Sequence, residues 1–379
     1  MKKLFTLAAA GALAATSLTA QAQITMDGTI GATEIGAANT GRYVSLGRFT
    51  QPHPAGFGNW GLLQMFGANS STKLYIALAG TLEKNTNGNG FHVYMDLPNM
   101  TGIPQGTVQP AIAGSGTVFE RGGAKFDMPV DMALGIEGDA TGMLAQGVIY
   151  TSATAGVSQD FGPMLTTTGT PVTLSTATTA APFNRFAGAR MSYRDTPSGD
   201  ITTNPGNTTG GGAGSFGWEI ELDRAALGLP SGASVVRLFG AYVSGSGYWS
   251  TDVIPEIPGR TTNLEFDPDF TALGGTQAAT LNVVVLSNSK AADAVVAMSV
   301  FPNPASGGAT VTYQVANKSQ HVEVTLTDLM GRTVRTLQNG TQAAGFQNLK
   351  LDGSSVTAGT YLVKVQVGDM VATRKVTLL

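Results

Sequence analysis

The sequence predicts an all-β chain built as a large β-sandwich followed by a small one, and three observations carry that prediction. Apolar residues recur at a period of two in the clearest segments, as on half-buried strands. Glycine is used 50 times in 379 residues, nearly twice its average share of about 7%, and it gathers with Asn, Asp and Ser where turns are made. Only 12% of residues are charged, about half the usual fraction of roughly 25%. Such chains make short strands joined by many turns, with hydroxyl and amide surfaces. Apolar residues reach 42%, too many for a disordered chain. The length leaves room for two or three units of roughly 100–150 residues.

At the N-terminus, Lys2 and Lys3 precede an apolar, Ala-rich run over residues 4–18 and then Ala20-Gln21-Ala22. A positive start, an apolar stretch and small residues before the cut make a cleavable secretory signal over residues 1–22, cut between Ala22 and Gln23. The Sec pathway and signal peptidase are then the first partners. The run is shorter than the roughly 20 residues of a membrane span, and no later run reaches that length, so no transmembrane span is expected. Cysteine is absent, so an exported chain must draw its stability from core burial or bound ions instead of disulfides.

The body is expected over residues 23–285. It opens on Asp27-Gly28. Residues 74–79 (Leu-Tyr-Ile-Ala-Leu-Ala) are apolar on both faces, as a central strand is. Phe91, Val93 and Met95 alternate with His92, Tyr94 and Asp96, as on a half-buried strand. Asn87-Gly88-Asn89-Gly90 between them is a hairpin-type turn signal. Ile220 and Leu222 alternate with Glu219, Glu221 and Asp223, which places the two glutamates on a solvated face. Asp223 can cap one helical turn ending at Gly228. Residues 235–243 and 281–286 read as further strands. Residues 151–182 and 196–215, rich in Thr, Gly, Ala and Asn, read as long loops. A linker over residues 286–298 follows.

Residues 299–379 change character. Clean alternations start at Val311, Val322 and Tyr361, and a last strand runs over 370–379. Turns are expected at residues 328–331, at Gln338-Asn339-Gly340 and at Asp352-Gly353, giving a seven-strand sandwich of the immunoglobulin or fibronectin kind. This segment carries seven Lys or Arg against four Asp or Glu, whereas residues 23–298 carry thirteen against twenty-one. An acidic body without a basic stripe excludes non-specific nucleic-acid binding.

Several motifs in this last segment fall in a recognisable order: Phe301-Pro302-Asn303-Pro304-Ala305, then Asp328-Leu329-Met330-Gly331-Arg332, then Ala358-Gly359-Thr360-Tyr361, and Arg374-Lys375 before the C-terminus. With that order and spacing the segment resembles the type A C-terminal sorting domain of the type IX secretion system of Bacteroidetes. The resemblance implies sorting residues Pro302, Asn303, Pro304, Asp328, Gly331, Gly359, Tyr361 and Lys375. It also implies delivery through an outer-membrane translocon, removal of the tail by a sortase-like peptidase, and a secreted or cell-surface location. In the body, Asp27-Gly28, Leu74-Tyr75-Ile76 and Trp218-Glu219-Ile220-Glu221-Leu222 ahead of Leu227-Gly228 are similar to jelly-roll sandwiches that include family-9-like carbohydrate-binding modules. That similarity implies a jelly-roll-like body.

Candidate chemistry is sparse. The three histidines, His53, His92 and His321, lie far apart in sequence, and no nucleophile, metalloprotease or phosphate-loop motif is present. A Ser-His-Asp triad could assemble only in space, through His53 or His92. Glu219 and Glu221 lie about 7 Å apart along a strand, loosely compatible with a glycosidase pair, but their alternation with Ile220 and Leu222 already accounts for them. Glu265, Asp267 and Asp269 form the densest acidic cluster, a candidate Ca²⁺ site. Trp60, Tyr248 and Trp249 sit in glycine-rich loops, where exposed rings can stack on sugar faces. Trp218, ahead of an amphipathic strand, is expected in the core. The leading expectation is a non-catalytic exported module that binds glycan or another surface component. A structural or adhesive subunit that self-associates is second, and an extracellular hydrolase third.

Overall fold

The computed structural model describes residues 24–379 apart from 55, 85–86, 115, 140–141, 175–179, 208–209, 231, 285–295, 316–318, 355 and 369. The expected signal peptide with its cut between Ala22 and Gln23, and most of the expected 286–298 linker, lie outside the described residues. The chain divides into two compact units, with the boundary between Ser287 and Asn288.

The body contains β1 (Thr29–Ile30), β2 (Val44–Arg48), β3 (Gly61–Asn69), β4 (Lys73–Thr81), β5 (Gly90–Asp96), β6 (Met132–Gly138) and β7 (Met143–Ser152). It continues with β8 (Ala155–Leu165), β9 (Val172–Thr173), β10 (Arg190–Tyr193), β11 (Ser215–Asp223), β12 (Ser234–Val243), β13 (Trp249–Ile254) and β14 (Ala279–Val283). They form two antiparallel sheets. The first runs β2-β3-β4-β11-β10-β9 with β1 on β11, and the second runs β13-β12-β5-β6-β7-β8 with β14 also on β12. The chain passes from the first sheet to the second between β4 and β5, and again between β11 and β12. Since β4 pairs with β11 and β5 with β12, the two segments cross together as one ribbon, the wrapping that makes a sandwich jelly-roll-like. The Asn87–Gly90 turn thus sits on a sheet-to-sheet crossover and closes no hairpin.

Strand alternation sends Leu74, Ile76, Leu78, Trp218, Ile220 and Leu222 of the first sheet against Phe91, Val93, Met95, Leu134, Ile136 and Leu238 of the second, all fully buried. Burying each of these side chains contributes about 1.5–3 kcal/mol. The sheets' other faces are also covered. Ile24, Met26, Ile30 and Tyr43, from the N-terminal segment, pack on Phe66, Tyr75 and Ala77 of the first sheet. Phe119, Phe126, Ile257 and Phe270, from long connections, pack on Tyr94, Phe239 and Trp249 of the second.

This covering corrects two expectations. His92 and Tyr94 face a second core instead of water, and Glu219 is fully buried while Glu221 is 7% exposed. The 151–182 stretch is also no simple loop, because β8 and β9 lie within it. Their Thr, Ser and Gly residues hide the alternation that would have revealed them. Asp223 caps its turn as expected, its Oδ1 accepting the N–H groups of Ala225 and Ala226.

The tail holds β15 (Ser299–Phe301), β16 (Gly308–Val315), β17 (Gln320–Thr327), β18 (Thr333–Gln342), β19 (Gly345–Asp352), β20 (Gly359–Val367) and β21 (Met370–Leu378). A three-stranded sheet β15-β16-β19 and a four-stranded sheet β18-β17-β20-β21 enclose Val311, Tyr313, Val322, Val324, Leu326, Val363, Val365 and Val376. Gln338-Asn339-Gly340 lies inside β18 and is no turn; β18 is largely exposed, so nothing selects for alternation along it. Val296 and Met298, assigned to the linker from sequence, are buried in the tail core.

Candidate functional site

A polar cleft opens where β12 turns into β13. The turn is set by Gly247, whose φ of +79° suits glycine. The Gly247 N–H donates to the Ser244 carbonyl and the Ser244 N–H to the Tyr248 carbonyl, each at 2.8 Å. The Ser244 and Ser246 hydroxyls lie 2.7 Å apart. Beside this turn opens a cleft of about 360 Å³, lined by Gly56, Phe57, Asn89, Ser244, Ser246, Tyr248 and Asn263. Tyr248 is half-buried, stacked 6.4 Å from Phe57 and edge-on to Phe266 at 5.2 Å. Phe266 itself is 57% exposed. Behind the cleft, Asn89 donates to the buried carboxylate of Glu83, which also accepts from the Tyr242 hydroxyl. Among the described residues the lining offers amides, hydroxyls and two rings, and no carboxylate or cation.

Tyr248 and Trp249 are adjacent on an extended chain, and adjacent side chains there point to opposite faces. Both rings therefore cannot serve one surface. Trp249 is 4% exposed and packs among Tyr94, Phe126, Phe239 and Phe270, so it is a core residue and the expectation of an exposed ring there is corrected. Trp60 is half-buried, its Nε1–H donating to the Gly199 carbonyl at 2.6 Å, and it does not line the cleft. Of the three rings singled out from sequence, Tyr248 alone stands at the cleft.

The acidic cluster does not converge. Asp269 is held by Lys125 at 2.7 Å and by the Thr271 hydroxyl, with both contacts keeping its carboxyl below the usual range. Glu265 and Asp267 are exposed at left-handed φ angles. Among the described residues no group of three or more acidic or histidine side chains is placed to hold a metal, so the sequence's Ca²⁺ cluster of Glu265, Asp267 and Asp269 is not assembled.

Two constellations escaped the sequence. His53 Nδ1 lies 2.5 Å from Asp252 Oδ2 across 199 residues of chain. Asp252 is buried, and burial pushes its carboxyl up while His53 pulls it down. Gly61 makes room for the pair, since a Cβ there would fall 2.0 Å from the carboxylate. No serine or threonine hydroxyl among the described residues is hydrogen-bonded to His53, so this is a pair and not a triad. His92, the other candidate, is sealed against Phe119 and Tyr94, and burial lowers it to about 3. The second constellation is at Glu219. Its Oε2 accepts the N–H groups of Gly28 at 2.7 Å and Asp27 at 3.0 Å, and its Oε1 accepts the Tyr43 hydroxyl at 3.0 Å. Burial pushes this carboxyl up to about 8. An acidic residue within a strand, as with Asp252 between Thr251 and Val253, was the signal available for either.

In the tail, the residues that the resemblance marks for sorting have structural roles. Pro302 and Pro304 have no N–H to offer a strand. Asn303 between them substitutes its side chain, donating to the Lys375 carbonyl at 2.8 Å and accepting the Thr377 N–H at 2.9 Å. Asp328 accepts the N–H groups of Met330 and Arg332 and pairs with the Arg332 guanidinium at 2.7 Å, while Gly331 turns the chain at φ +81°. Gly359 opens β20 opposite Leu378. The Tyr361 hydroxyl donates to the Thr357 carbonyl four residues upstream, locking that corner.

Residues 299–378 match the family model described as a secretion system C-terminal sorting domain. Among curated proteins none matches the chain. Solved structures with some likeness include dimeric latent PorU from Porphyromonas gingivalis, at 13% identity and a TM-score of 0.20, covering 87% of this chain and 34% of that one. The BSP domain of a biofilm associated protein follows at 9% identity and 0.20, covering 91% and 53%. A tetra-tandem repeat of a large adhesion protein stands at 10% and 0.18, covering 83% and 73%. At these TM-scores none of the three bears on this chain's fold or activity. Among the described residues no helix is long and apolar enough to cross a membrane. The tail is a type IX sorting domain that engages the type IX secretion machinery, and the protein is exported, to be secreted or held at the cell surface.

Proposed function

We propose that the body is a non-catalytic module that binds a neutral glycan in the Tyr248 cleft. In this reading the chain reaches the periplasm by the Sec pathway with loss of residues 1–22, and a sortase-like peptidase removes the tail at the outer membrane. The supporting observation is the lining itself: amide and hydroxyl groups of Asn89, Asn263, Ser244 and Ser246 around a half-buried ring, with no charged side chain. Amides and hydroxyls both donate and accept, as sugar hydroxyls require, and a ring with only two rotatable bonds gives contact area at low entropic cost.

The test is a glycan array probed with the exported protein, followed by calorimetry on the best neutral polysaccharide. Tyr248→Ala should weaken binding about tenfold, the equivalent of roughly 1.4 kcal/mol, while the protein stays folded and loses no more than the worth of its two ring contacts, about 1–3 kcal/mol of stability. An array without neutral hits, together with concentration-dependent assembly of the protein, would replace this reading with that of a structural subunit. Release of reducing ends from any bound polysaccharide would replace it with a hydrolase.

A further inference from the structure

A second opening lies on the body away from Tyr248, between the turn after β5, the end of β7 and the short 3-10 turn Phe183–Phe186. It is a groove of about 660 Å³. Unlike the first it carries a cation, and about half of its lining is apolar, with Met100, Ile149, Pro182 and Ala226 among it. Arg185 stands in its wall with Asn99, Thr101, Thr151 and Asn184, and no acidic side chain lines it.

The guanidinium is held in place. Phe183 and Phe186 on either side are buried in the main core, fixing the backbone that carries Arg185. Its Nη1 donates to the Leu227 carbonyl at 2.9 Å. A guanidinium has five N–H donors in a planar fork, so this bond orients the group, and among the described residues its other donors have no hydrogen-bond acceptor. No carboxylate among the described residues forms an ion pair with it. Asp131 is 1% exposed, with one oxygen committed to the Leu97 N–H and the other to the Gly102 N–H at 2.7 Å each; the Arg185 charge acts on its carboxyl through space, as the last and smallest of several influences, and no bond joins the two. Asn99 spends its amide N–H on the Gly228 carbonyl, which leaves its Oδ1 as an acceptor at the rim.

We propose that this groove is a second glycan subsite, one that takes a carboxylate-bearing sugar, with Arg185 pairing to the carboxylate and Asn99, Thr101, Thr151 and Asn184 meeting the ring hydroxyls. A planar fork facing an open groove matches carboxylate geometry. The body carries a surplus of eight acidic groups over residues 23–298, so an anion is repelled over most of its surface, and a groove with a cation and no carboxylate is where that repulsion is relieved. Four amide and hydroxyl side chains beside the cation, Asn99, Thr101, Thr151 and Asn184, match the dense ring hydroxyls of a sugar acid better than the sparser polar groups of an acidic peptide. The subsite stands independently of the Tyr248 cleft.

Calorimetry of the exported protein with an oligogalacturonate tests it, with the fully methyl-esterified oligomer as control. The free acid should bind at least tenfold more tightly than the ester. Arg185→Gln, which keeps a donor for the Leu227 carbonyl, should remove that preference, Arg185→Lys should retain part of it, and Tyr248→Ala should leave it intact. Equal binding of acid and ester by the parent protein would overturn the proposal, and needs no variant to fold. So would an Arg185→Gln protein that still prefers the acid, or an oligoaspartate that competes as well as the oligogalacturonate. Loss of acid binding in Tyr248→Ala would place the ligand in the other cleft.

Discussion

Replacing Glu219 by Gln should make the body more stable at neutral pH, although it removes an ionisable group that accepts two backbone N–H groups and a tyrosine hydroxyl. Glutamine keeps a carbonyl oxygen for the Asp27 and Gly28 N–H groups, and its amide can donate to the Tyr43 oxygen. What it removes is the proton linkage. Burial raises the Glu219 carboxyl from 4.5 in the unfolded chain to about 8 in the fold. The folded state therefore binds the proton more tightly, and the stabilisation is fully present below pH 4.5 and lost as pH rises toward 8. At pH 7.5 that loss amounts to roughly 4 kcal/mol relative to pH 4. Glu219→Gln should match the parent within about 1 kcal/mol at pH 4.5 and exceed it by up to roughly 4 kcal/mol at pH 7.5.

Urea unfolding followed by fluorescence of Trp218, which sits beside Glu219 in β11 and is fully buried, reports both values by linear extrapolation. His92, lowered to about 3 by burial, acts in the opposite sense, costing stability as pH falls below about 6.5. The difference between parent and variant cancels it. If Glu219→Gln is instead less stable than the parent at pH 7.5 by several kcal/mol, the carboxylate is ionised in the fold, its hydrogen-bond donors (the Ser192 hydroxyl at 3.4 Å included) outweigh burial, and the reasoning fails.

Three further outcomes are expected. Trp249→Ala should cost about 3–5 kcal/mol, read as a large fall in melting temperature, because the ring packs among four buried aromatics; a folded, fully stable variant would return Trp249 to the surface. Deleting residues 299–379 should leave the body in the periplasm, as judged by cell fractionation, and normal amounts in the medium would contradict the sorting role of the tail. Asn303→Ala should lower tail stability by roughly 0.5–1.5 kcal/mol, since it removes the side-chain bonds to the Thr377 N–H and the Lys375 carbonyl and leaves both to water, which hydrogen exchange at Thr377 would reveal.

By itself the sequence determined the class, the export tail and the clearest strands. Those features are local: alternation along Val311, Tyr313 and Val315 or along Ile220 and Leu222 follows from the period of an extended chain, and the order of Pro302, Asn303, Asp328, Gly331 and Tyr361 can be read without coordinates. The tertiary structure decided what lies over each face. Alternation distinguishes two faces of a strand but does not say that the second is wet. Here residues 24–43 cross one sheet and long connections cross the other, so Glu219, His92 and Trp249, each assigned to solvent or to a loop, became buried. Only that folding brought His53 to Asp252 and left Tyr248 beside Asn89 and Asn263. Pairing across some 200 residues of chain depends on which loop covers which sheet, and no local pattern records it.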